Sequence, residues 1–177
     1  MTRQDMIDLA QYIRDVRDFP KKGIVFKDIT PLLGNPQALA AAVEQLAKPF
    51  ESAGVEIVTG IESRGFIFGS LVAQRLGASF VPIRKPGKLP AAKRSLTYQL
   101  EYGTDTLEIH ADAIRRGQRV LLVDDLLATG GTMKVCCDLV EQLGGDIEGI
   151  AILIELADLA GREKLTRWPL HCVLSYD

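Results

Sequence analysis

The sequence predicts an α/β fold with a mainly parallel central sheet, and three observations support this prediction. Short apolar runs rich in Val and Ile alternate along the chain with segments whose apolar residues have helical spacing. Two of the runs end in Gly-containing loops that lead into a helix, as in strand–helix–strand units. The runs are continuously apolar, which is typical of strands covered on both faces.

The composition favours one globular domain that acts on a small molecule. Of the 177 residues, 47% are hydrophobic and 25% are charged, which is enough for one sizeable core. The net charge is −2 and the basic residues are not clustered, so we expect no nucleic-acid partner. No segment resembles a signal peptide or reaches membrane-spanning length, so we expect a cytoplasmic protein with no membrane partner.

Cysteine and histidine residues show no spacing typical of metal ligands. We expect Cys136, Cys137 and Cys172 to be buried thiols. His110 and His171 each stand alone in the sequence, which argues against a zinc site. The sequence therefore predicts no metal held by the chain itself.

Helical spacing near the N-terminus predicts an opening helix, with apolar positions at Met6, Leu9, Ile13 and Val16. Asn35 followed by Pro36 marks the start of a second helix. Its buried face is predicted to contain Leu39, Val43, Leu46 and Phe50, with the end of the helix at Gly54.

Two strand–helix–strand units follow, separated by a segment of different composition. The first consists of "VEIVTG" (55–60), the loop "IESRG" (61–65), a helix through 71–76 and "SFVPI" (79–83). The second consists of "RVLLVDD" (119–125), the loop "LLATGGT" (126–132), a helix and "IEGIAILIEL" (147–156). The C-terminal "HCVLSY" (171–176) is suited to a last strand.

The segment between the two units is basic and rich in Pro and Gly. "RKPGKLPAAKRS" (84–95) has no apolar periodicity, so we expect a loop that is mobile between Lys85 and Ser95 and closes over bound ligand. "LTYQLEYGTDTLEIH" (96–110) alternates apolar and polar residues around Gly103 and predicts a β-ribbon.

Two adjacent carboxylates mark the candidate site. Asp124 and Asp125 follow a buried strand at its carboxyl end, where open α/β sheets bind ligands. Two neighbouring carboxylates repel each other unless vicinal hydroxyls or a divalent cation compensate. The loop that follows leads into a helix and can surround a phosphate: Ala128, Thr129, Gly130, Gly131 and Thr132. A sugar phosphate satisfies both features.

Two other interpretations of this segment are open at the sequence level. Asp125 could simply cap a helix while the glycines form a turn. The strand and its acids also resemble the Walker B strand of nucleotide hydrolases, but the chain contains no G-x-x-x-x-G-K-[ST] segment. The absence of G-x-G-x-x-G argues against a dinucleotide fold.

The segment "VLLVDDLLATGGT" (120–132) resembles the phosphoribosyl-diphosphate signature of type I phosphoribosyltransferases. Four more segments resemble the adenine-specific members of that family: "FPKKGIVFKDITPLL" (19–33), "GIESRGFIFG" (60–69), "IRKPGKLP" (83–90) and "YQLEYGTDTLEIH" (98–110). The resemblance implies the type I fold in a single domain, 1–177, with a small N-terminal hood over about 1–35.

The resemblance also implies an activity. Members of the family's adenine branch transfer 5-phosphoribose from 5-phosphoribosyl 1-diphosphate to adenine, which gives AMP and diphosphate in purine salvage. They use Mg²⁺, held mainly by substrate and water, and are commonly homodimers.

By this resemblance each motif receives a role. Asp124 and Asp125 hold the ribose hydroxyls, and the loop 128–132 binds the 5'-phosphate. The diphosphate is assigned to Glu62, Ser63 and Arg64, with a strained or cis peptide between Glu62 and Ser63, and to the basic-loop residues Arg84, Lys85 and Lys88. Arg64 is also assigned a catalytic role. Arg64 could instead form a surface ion pair, and the basic loop could simply be solvated.

The base and the catalytic acid are assigned in the same way. Val25, Phe26 and Lys27 match the segment that contacts adenine, with Phe26 stacked on the purine; a Phe of the core is the alternative. Glu101, next to Tyr102, matches the family's active-site Glu and would favour positive charge on the ribose or relay a proton. The alternative is a Glu on the solvent face of the ribbon.

Two other functions stay open. The nearer is a phosphoribosyltransferase for a 6-oxopurine, against which the segment "GIVFKDI" (23–29) argues. The more distant is a non-catalytic regulator that senses phosphoribosyl diphosphate. No added basic or helix-turn-helix segment supports it.

Overall fold

The computed structural model describes residues 7–99 and 103–177. The chain forms two compact units, Met1–Gln45 and Leu46–Asp177, which we call the N-terminal unit and the C-terminal unit. No helix in the described residues is long and apolar enough to span a membrane.

The N-terminal unit is built from short elements. A 3-10 helix, Leu9–Tyr12, precedes strands β1 (Arg14–Arg17) and β2 (Val25–Asp28), which pair antiparallel. Helix α1 (Thr30–Leu33) and helix α2 (Pro36–Ala47) follow, and α2 continues into the C-terminal unit. The Asn35 side chain accepts hydrogen bonds from the first backbone N–H groups of α2, as expected of an N-cap.

The predicted opening helix is wrong. Asp8 caps only one short 3-10 turn, and the Ile13 N–H closes it on the Ala10 carbonyl. The chain then extends into β1, where Arg14 and Asp15 form ion pairs with residues of β2. These cross-strand contacts, which helical spacing cannot reveal, favour the strand over the helix.

The C-terminal unit contains the remaining elements. Its strands are β3 (Ile57–Ile61), β4 (Ser79–Ile83), β5 (Lys93–Gln99), β6 (Thr104–His110), β7 (Arg119–Leu127), β8 (Asp146–Leu156) and β9 (Leu170–Tyr176). Its helices are α3 (Gly65–Leu76) and α4 (Gly131–Gln142), with 3-10 turns at Lys48–Phe50, Ala157–Leu159 and Gly161–Leu165. Helix α2 therefore ends at Ala47, before the predicted Gly54.

Within the described residues, five strands form one parallel sheet in the order β4-β3-β7-β8-β9. Numbered along the chain, this is the order 2-1-3-4-5 of a doubly wound fold, which confirms the predicted fold class. The direction of winding reverses between β3 and β7, and ligands of such sheets bind at the carboxyl ends of the strands at that point.

The apolar runs are buried as their continuous pattern predicts. Val120–Val123 of β7 and Ile150–Ile154 of β8 have no accessible surface. Helix α3 packs on β3 and β7, and α4 packs on β8 and on the ribbon β5–β6. Cys136 and Cys137 are buried and Cys172 is partly buried, and burial raises the pKa of each thiol.

The ribbon is longer than the sequence pattern indicates. Strand β5 begins at Lys93, so Lys93–Ser95 pair with β6 and are not part of the irregular loop. The Lys93 ammonium and the Ser95 hydroxyl both contact Glu108 of β6. The irregular segment is therefore 85–92.

Candidate active site

A cavity of about 340 Å³ opens at the carboxyl ends of β3 and β7, where the sheet changes direction. It lies entirely within the C-terminal unit. Its wall consists of Ile61, Glu62, Ser63, Arg64, Lys85, Tyr98, Asp105 and the continuous segment from Asp124 to Met133. The structure therefore brings together the loop after β3 and the loop after β7, as the motifs predicted.

The paired carboxylates lie near the end of β7. Asp125 is 5% exposed and Asp124 is partly buried. The Asp125 N–H donates to Oδ1 of Asp124 at 2.9 Å, and Nε of Arg64 lies 2.8 Å from Oδ2 of Asp125. Burial and then the charge of Asp125 raise the pKa of Asp124 well above its usual value. Burial also raises the pKa of Asp125, and Arg64 opposes this. The Asp125 N–H and Arg64 therefore compensate the charge of the pair only in part, since the pKa of both carboxyls stays raised.

The loop from Ala128 to Thr132 leads into α4, so the positive end of that helix faces the cavity. Gly130 is the N-cap residue and has φ +76°, a conformation that favours glycine. A Cβ at Gly130 would overlap the carbonyl oxygen of Gly161, so the chain also approaches closely here. Packing against Gly161 thus fixes the loop at the start of α4, where the first backbone N–H groups of a helix can bind an anion.

A second helix begins at the same cavity. Glu62, Ser63 and Arg64 connect β3 to α3, and the Glu62–Ser63 peptide is cis, as the resemblance implied. Gly65 begins α3 so close to β7 that a Cβ there would lie 2.6 Å from Oδ1 of Asp124. Two helix N-termini therefore flank one carboxylate pair, which suits a ligand with anionic groups at both ends and hydroxyls between them.

The three basic-loop residues do not converge. The Arg84 guanidinium donates to both carboxylate oxygens of Glu62, at 3.1 and 3.2 Å, and lowers the pKa of that carboxyl. The Lys85 N–H donates to Glu62, while its ammonium contacts Asp105. Within the described part of the chain, Lys85 lines the cavity, whereas Arg84 and the exposed Lys88 do not.

The residues predicted to contact the base form part of β2 in the N-terminal unit. The Phe26 ring lies edge-on to Phe19, with centroids 5.2 Å apart. Val25 is 44% exposed, and the Lys27 ammonium contacts Asp15 at 2.8 Å. Glu101 and Tyr102 lie outside the described residues, so their predicted role stays a prediction.

Sequence reasoning missed three residues around this site: Tyr98, Asp105 and Glu108. Tyr98 and Asp105 stand opposite each other in the ribbon and line the cavity. Glu108 is 5% exposed and accepts from Gly87, Lys93 and Ser95, which fixes both ends of the basic loop. The sequence signal for Glu108 was an acidic residue within the alternating pattern of the ribbon. The residues that it contacts depend on the strand register, which the pattern does not give.

The described residues contain no group of three or more His, Cys, Asp or Glu side chains that could hold a metal ion. The cavity nevertheless contains the carboxylates of Asp124 and Asp125, oxygen ligands of the kind that Mg²⁺ accepts. Such a pair fits a cation that keeps most of its ligands from water and a bound phosphate.

Comparison with known proteins identifies relatives over most of the chain. The family model "Phosphoribosyl transferase domain" matches residues 29–174. An adenine phosphoribosyltransferase of Symbiobacterium thermophilum is 59% identical over 159 residues, which are 90% of this chain and 94% of that protein.

Solved structures give the same result. The crystal structure of adenine phosphoribosyltransferase from Rhodothermus marinus is 54% identical, with a TM-score of 0.91 and coverage of 95% of this chain and 96% of that one. The enzyme from Saccharomyces cerevisiae, complexed with an imino-altritol bisphosphate and adenine, is 38% identical with a TM-score of 0.89. The match covers 94% of this chain and 96% of the yeast chain.

Proposed function

Since this chain belongs to the phosphoribosyltransferase family, we propose that it is an adenine phosphoribosyltransferase of purine salvage. It transfers 5-phosphoribose from 5-phosphoribosyl 1-diphosphate to adenine and releases AMP and diphosphate. Relatives of this name match at 51–59% identity over most of both chains, which supports the proposal.

The observation that carries the proposal is the pair of helix N-termini on either side of Asp124 and Asp125 in one cavity. The loop 128–132 at α4 is suited to the 5'-phosphate. Residues Glu62, Ser63 and Arg64 at α3 are suited to the diphosphate, because Arg64 adds a cation to the helix dipole. The carboxylates then accept hydrogen bonds from the ribose hydroxyls, which compensates their mutual repulsion.

The chemistry in this proposal rests on positioning and electrostatics. Loss of diphosphate develops positive charge on the ribose ring and negative charge on the leaving group. Arg64 and Lys85 stabilise the leaving group. Arg84 and Lys88 do not line the cavity, so they would contribute only when the basic loop closes over the ligand. Glu101, assigned by its motif alone, stabilises the ring charge or relays the proton that the purine loses.

Magnesium is part of the proposal. Asp124 and Asp125 would contribute to holding it, mainly through water, while the substrate supplies phosphate oxygens. When bound, the ion neutralises part of the negative charge on the diphosphate.

Adenine is proposed to bind at β2, with Phe26 on the purine face and main-chain groups of Val25 and Lys27 at its edge. Adenine carries an amino donor at position 6, whereas the 6-oxopurines carry an acceptor. A main-chain carbonyl facing this position would leave two acceptors in contact when a 6-oxopurine binds. The yeast relative was crystallised with adenine, which supports this choice of base.

We further propose that the two units act as one domain, 1–177, with a hood formed mainly by about 1–35, and that the cytoplasmic protein is a homodimer. Light scattering of the purified protein tests the dimer, for which twice the 19.4 kDa mass of one chain is expected.

Turnover with different purines separates the three candidate functions. We expect AMP from adenine, phosphoribosyl diphosphate and Mg²⁺. With hypoxanthine, guanine or xanthine we expect reaction slower by up to about 10⁴-fold, the range that hydrogen-bonding sites reach. Comparable turnover of a 6-oxopurine would establish the neighbouring class of enzyme. Binding of phosphoribosyl diphosphate without turnover of any purine would establish the regulator.

A further inference from the structure

A chain of polar contacts crosses the cavity wall from the basic loop to the phosphate loop. The Lys85 ammonium contacts Oδ2 of Asp105. The Tyr98 hydroxyl donates to the same oxygen at 3.3 Å and lies 3.1 Å from the Thr132 hydroxyl. All four side chains belong to residues that line the cavity. One carboxylate thus connects the two anion-binding sides of the site.

The ribbon fixes the geometry of this chain. Tyr98 and Asp105 are register partners on β5 and β6, so their side chains share one face. Leu96 and Tyr98 pack against the core cluster that contains Leu107 and Met133. The two polar groups are therefore held by packing as well as by each other.

The hydrogen-bond directions follow from the donors available. The Tyr98 hydroxyl has a single proton, which it donates to Asp105, so its oxygen accepts from Thr132. The Tyr98 hydroxyl is protonated at neutral pH even at its ordinary pKa of 10.0, and burial raises the pKa further. Burial also opposes ionisation of Asp105, but Lys85, the Thr106 N–H and the Tyr98 hydroxyl together outweigh it and lower the pKa of the carboxyl. Asp105 is thus a charged acceptor between two donors.

We propose that Asp105 is a positioning residue that orients Lys85 for the diphosphate and, through Tyr98, orients Thr132 for the 5'-phosphate. This inference rests on the proposed function, because it uses both anion sites. Lys85 has a flexible stem and shares the cavity wall with the carboxylates of Glu62, Asp124 and Asp125. Without Asp105 its ammonium moves toward those carboxylates or into solvent, and binding of the anion must reverse this.

Asp105 contributes to binding more than to the chemical step. The Lys85 ammonium has three donors, of which Asp105 occupies one, so two stay directed to a phosphate. Once diphosphate is bound, its own oxygens hold Lys85 and the contribution of Asp105 becomes small. A variant without the carboxylate should therefore have a higher KM for phosphoribosyl diphosphate and a nearly unchanged kcat.

Three variants separate the effect of Asp105 on Lys85 from its effect, through Tyr98, on Thr132. Calorimetry with diphosphate measures the first effect and calorimetry with AMP the second, both without turnover. We expect Asp105→Asn to weaken both ligands about five- to tenfold, as for loss of a charge-assisted hydrogen bond. Tyr98→Phe should weaken AMP alone, and Lys85→Met should weaken diphosphate alone. In the Lys85→Met background, Asp105→Asn should change diphosphate affinity less than about twofold.

Asp138→Asn is the matched control, since it removes the carboxylate of a Lys–Asp pair outside the cavity, 2.5 Å from Lys134. It should leave both affinities unchanged. The inference is wrong if Asp105→Asn tightens or does not change ligand binding, or if all three variants weaken both ligands equally together with a lower melting temperature. If the wild-type protein binds neither ligand, the proposed function fails first.

Discussion

At the scale of single residues, the candidate active site contains two neighbouring carboxylates whose negative charge the surrounding protein groups compensate only in part. Asp124 and Asp125 are adjacent, with Asp125 buried and Asp124 partly buried, and burial raises the pKa of both carboxyls, although Arg64 stands beside Asp125. A carboxyl whose pKa is raised in the folded state destabilises the protein wherever it is ionised. The pair is therefore expected to bind substrate at the expense of stability.

Asp124→Asn should accordingly stabilise the protein while it weakens binding. The folded state of the wild type binds more protons than the unfolded state above the ordinary Asp pKa of 3.8, so its stability falls as pH rises from there. At pH 7.5 the variant should melt about 2–4 °C higher, as for roughly 1 kcal/mol in a chain of this size. Its KM for phosphoribosyl diphosphate should rise about tenfold.

The pH dependence distinguishes charge from packing. The stability gain of Asp124→Asn should shrink as pH falls through the ordinary Asp pKa of 3.8 and disappear below about pH 3, where the carboxyl is protonated in both states. Asp112→Asn, at an exposed position, should change neither melting temperature nor KM. A gain of the same size at every pH would contradict the electrostatic explanation.

The loop motif predicts the position of Gly130 but not what its backbone packs against. The phosphate-loop pattern suggests that a side chain at Gly130 would obstruct the phosphate. In the structure a Cβ would first collide with the Gly161 carbonyl, which comes from a segment thirty-one residues later in the sequence. The position of the loop could be predicted, but its packing partner could not, because the contact depends on the tertiary fold.

Gly130→Ala should therefore lose both stability and AMP affinity. Gly77→Ala is the control, because Gly77 has a similar φ of +68° but no atom within 4 Å of its Cβ position. We expect the control to cost about 1–2 kcal/mol for the left-handed conformation alone. Gly130→Ala should cost a further 1–3 kcal/mol, roughly, for overpacking. Chemical denaturation checks this, and equal losses would show that the contact with Gly161 relaxes freely.

At the scale of elements, apolar periodicity locates strands that are fixed by the packing of apolar side chains. It misses strands and strand ends that are fixed by polar contacts with a neighbouring strand. The central strands β3, β7 and β8 could be located from their apolar runs, because burial on both faces leaves a continuous pattern. The edge strands β4 and β9 are only partly buried, and their short apolar segments gave a weaker signal. Strand β1 could not, since its residues are held by ion pairs with β2. The start of β5 at Lys93 was missed for a similar reason, because Glu108 on the partner strand holds that strand end.

The basic loop should be mobile mainly between its anchors. Glu108 binds Gly87 at one end and Lys93 and Ser95 at the other, so the fastest amide hydrogen exchange in 85–95 is expected over 88–92. Diphosphate should slow exchange there. Glu108→Gln loses its charged contact with Lys93, so exchange over 86–95 should accelerate and the KM for phosphoribosyl diphosphate should rise.

Glu155→Gln provides the comparison for that variant. Glu155 is also a buried acid in a strand, paired with Arg162 rather than with the loop. The Glu155→Gln variant should have a lower melting temperature, while amide hydrogen exchange in 85–95 stays as in the wild type. Identical exchange with and without diphosphate in the wild type would contradict closure of the loop.

At the scale of the whole molecule, the proposed function divides recognition between the two units. The cavity with both anion-binding helix ends belongs to the C-terminal unit. The segment proposed to read the base is a strand of the N-terminal unit, held by Arg14–Asp28 and Asp15–Lys27 ion pairs. Phosphate binding and base selection are then separable properties, and substitutions in one unit should affect one of them.

Phe26→Ala tests that division. Loss of a stacking ring should raise the KM for adenine about tenfold or more, since stacking of a base on an aromatic side chain contributes about 1–3 kcal/mol. The affinities for diphosphate and phosphoribosyl diphosphate, measured by calorimetry without adenine, should stay within about twofold of the wild type. The residues proposed to bind these two molecules belong to the C-terminal unit, whereas Phe26 belongs to the N-terminal unit. Arg64→Gln should give the reverse pattern, with weaker diphosphate binding and a nearly unchanged KM for adenine. If Phe26→Ala weakened diphosphate as strongly as adenine, the N-terminal unit would support the whole site rather than select the base.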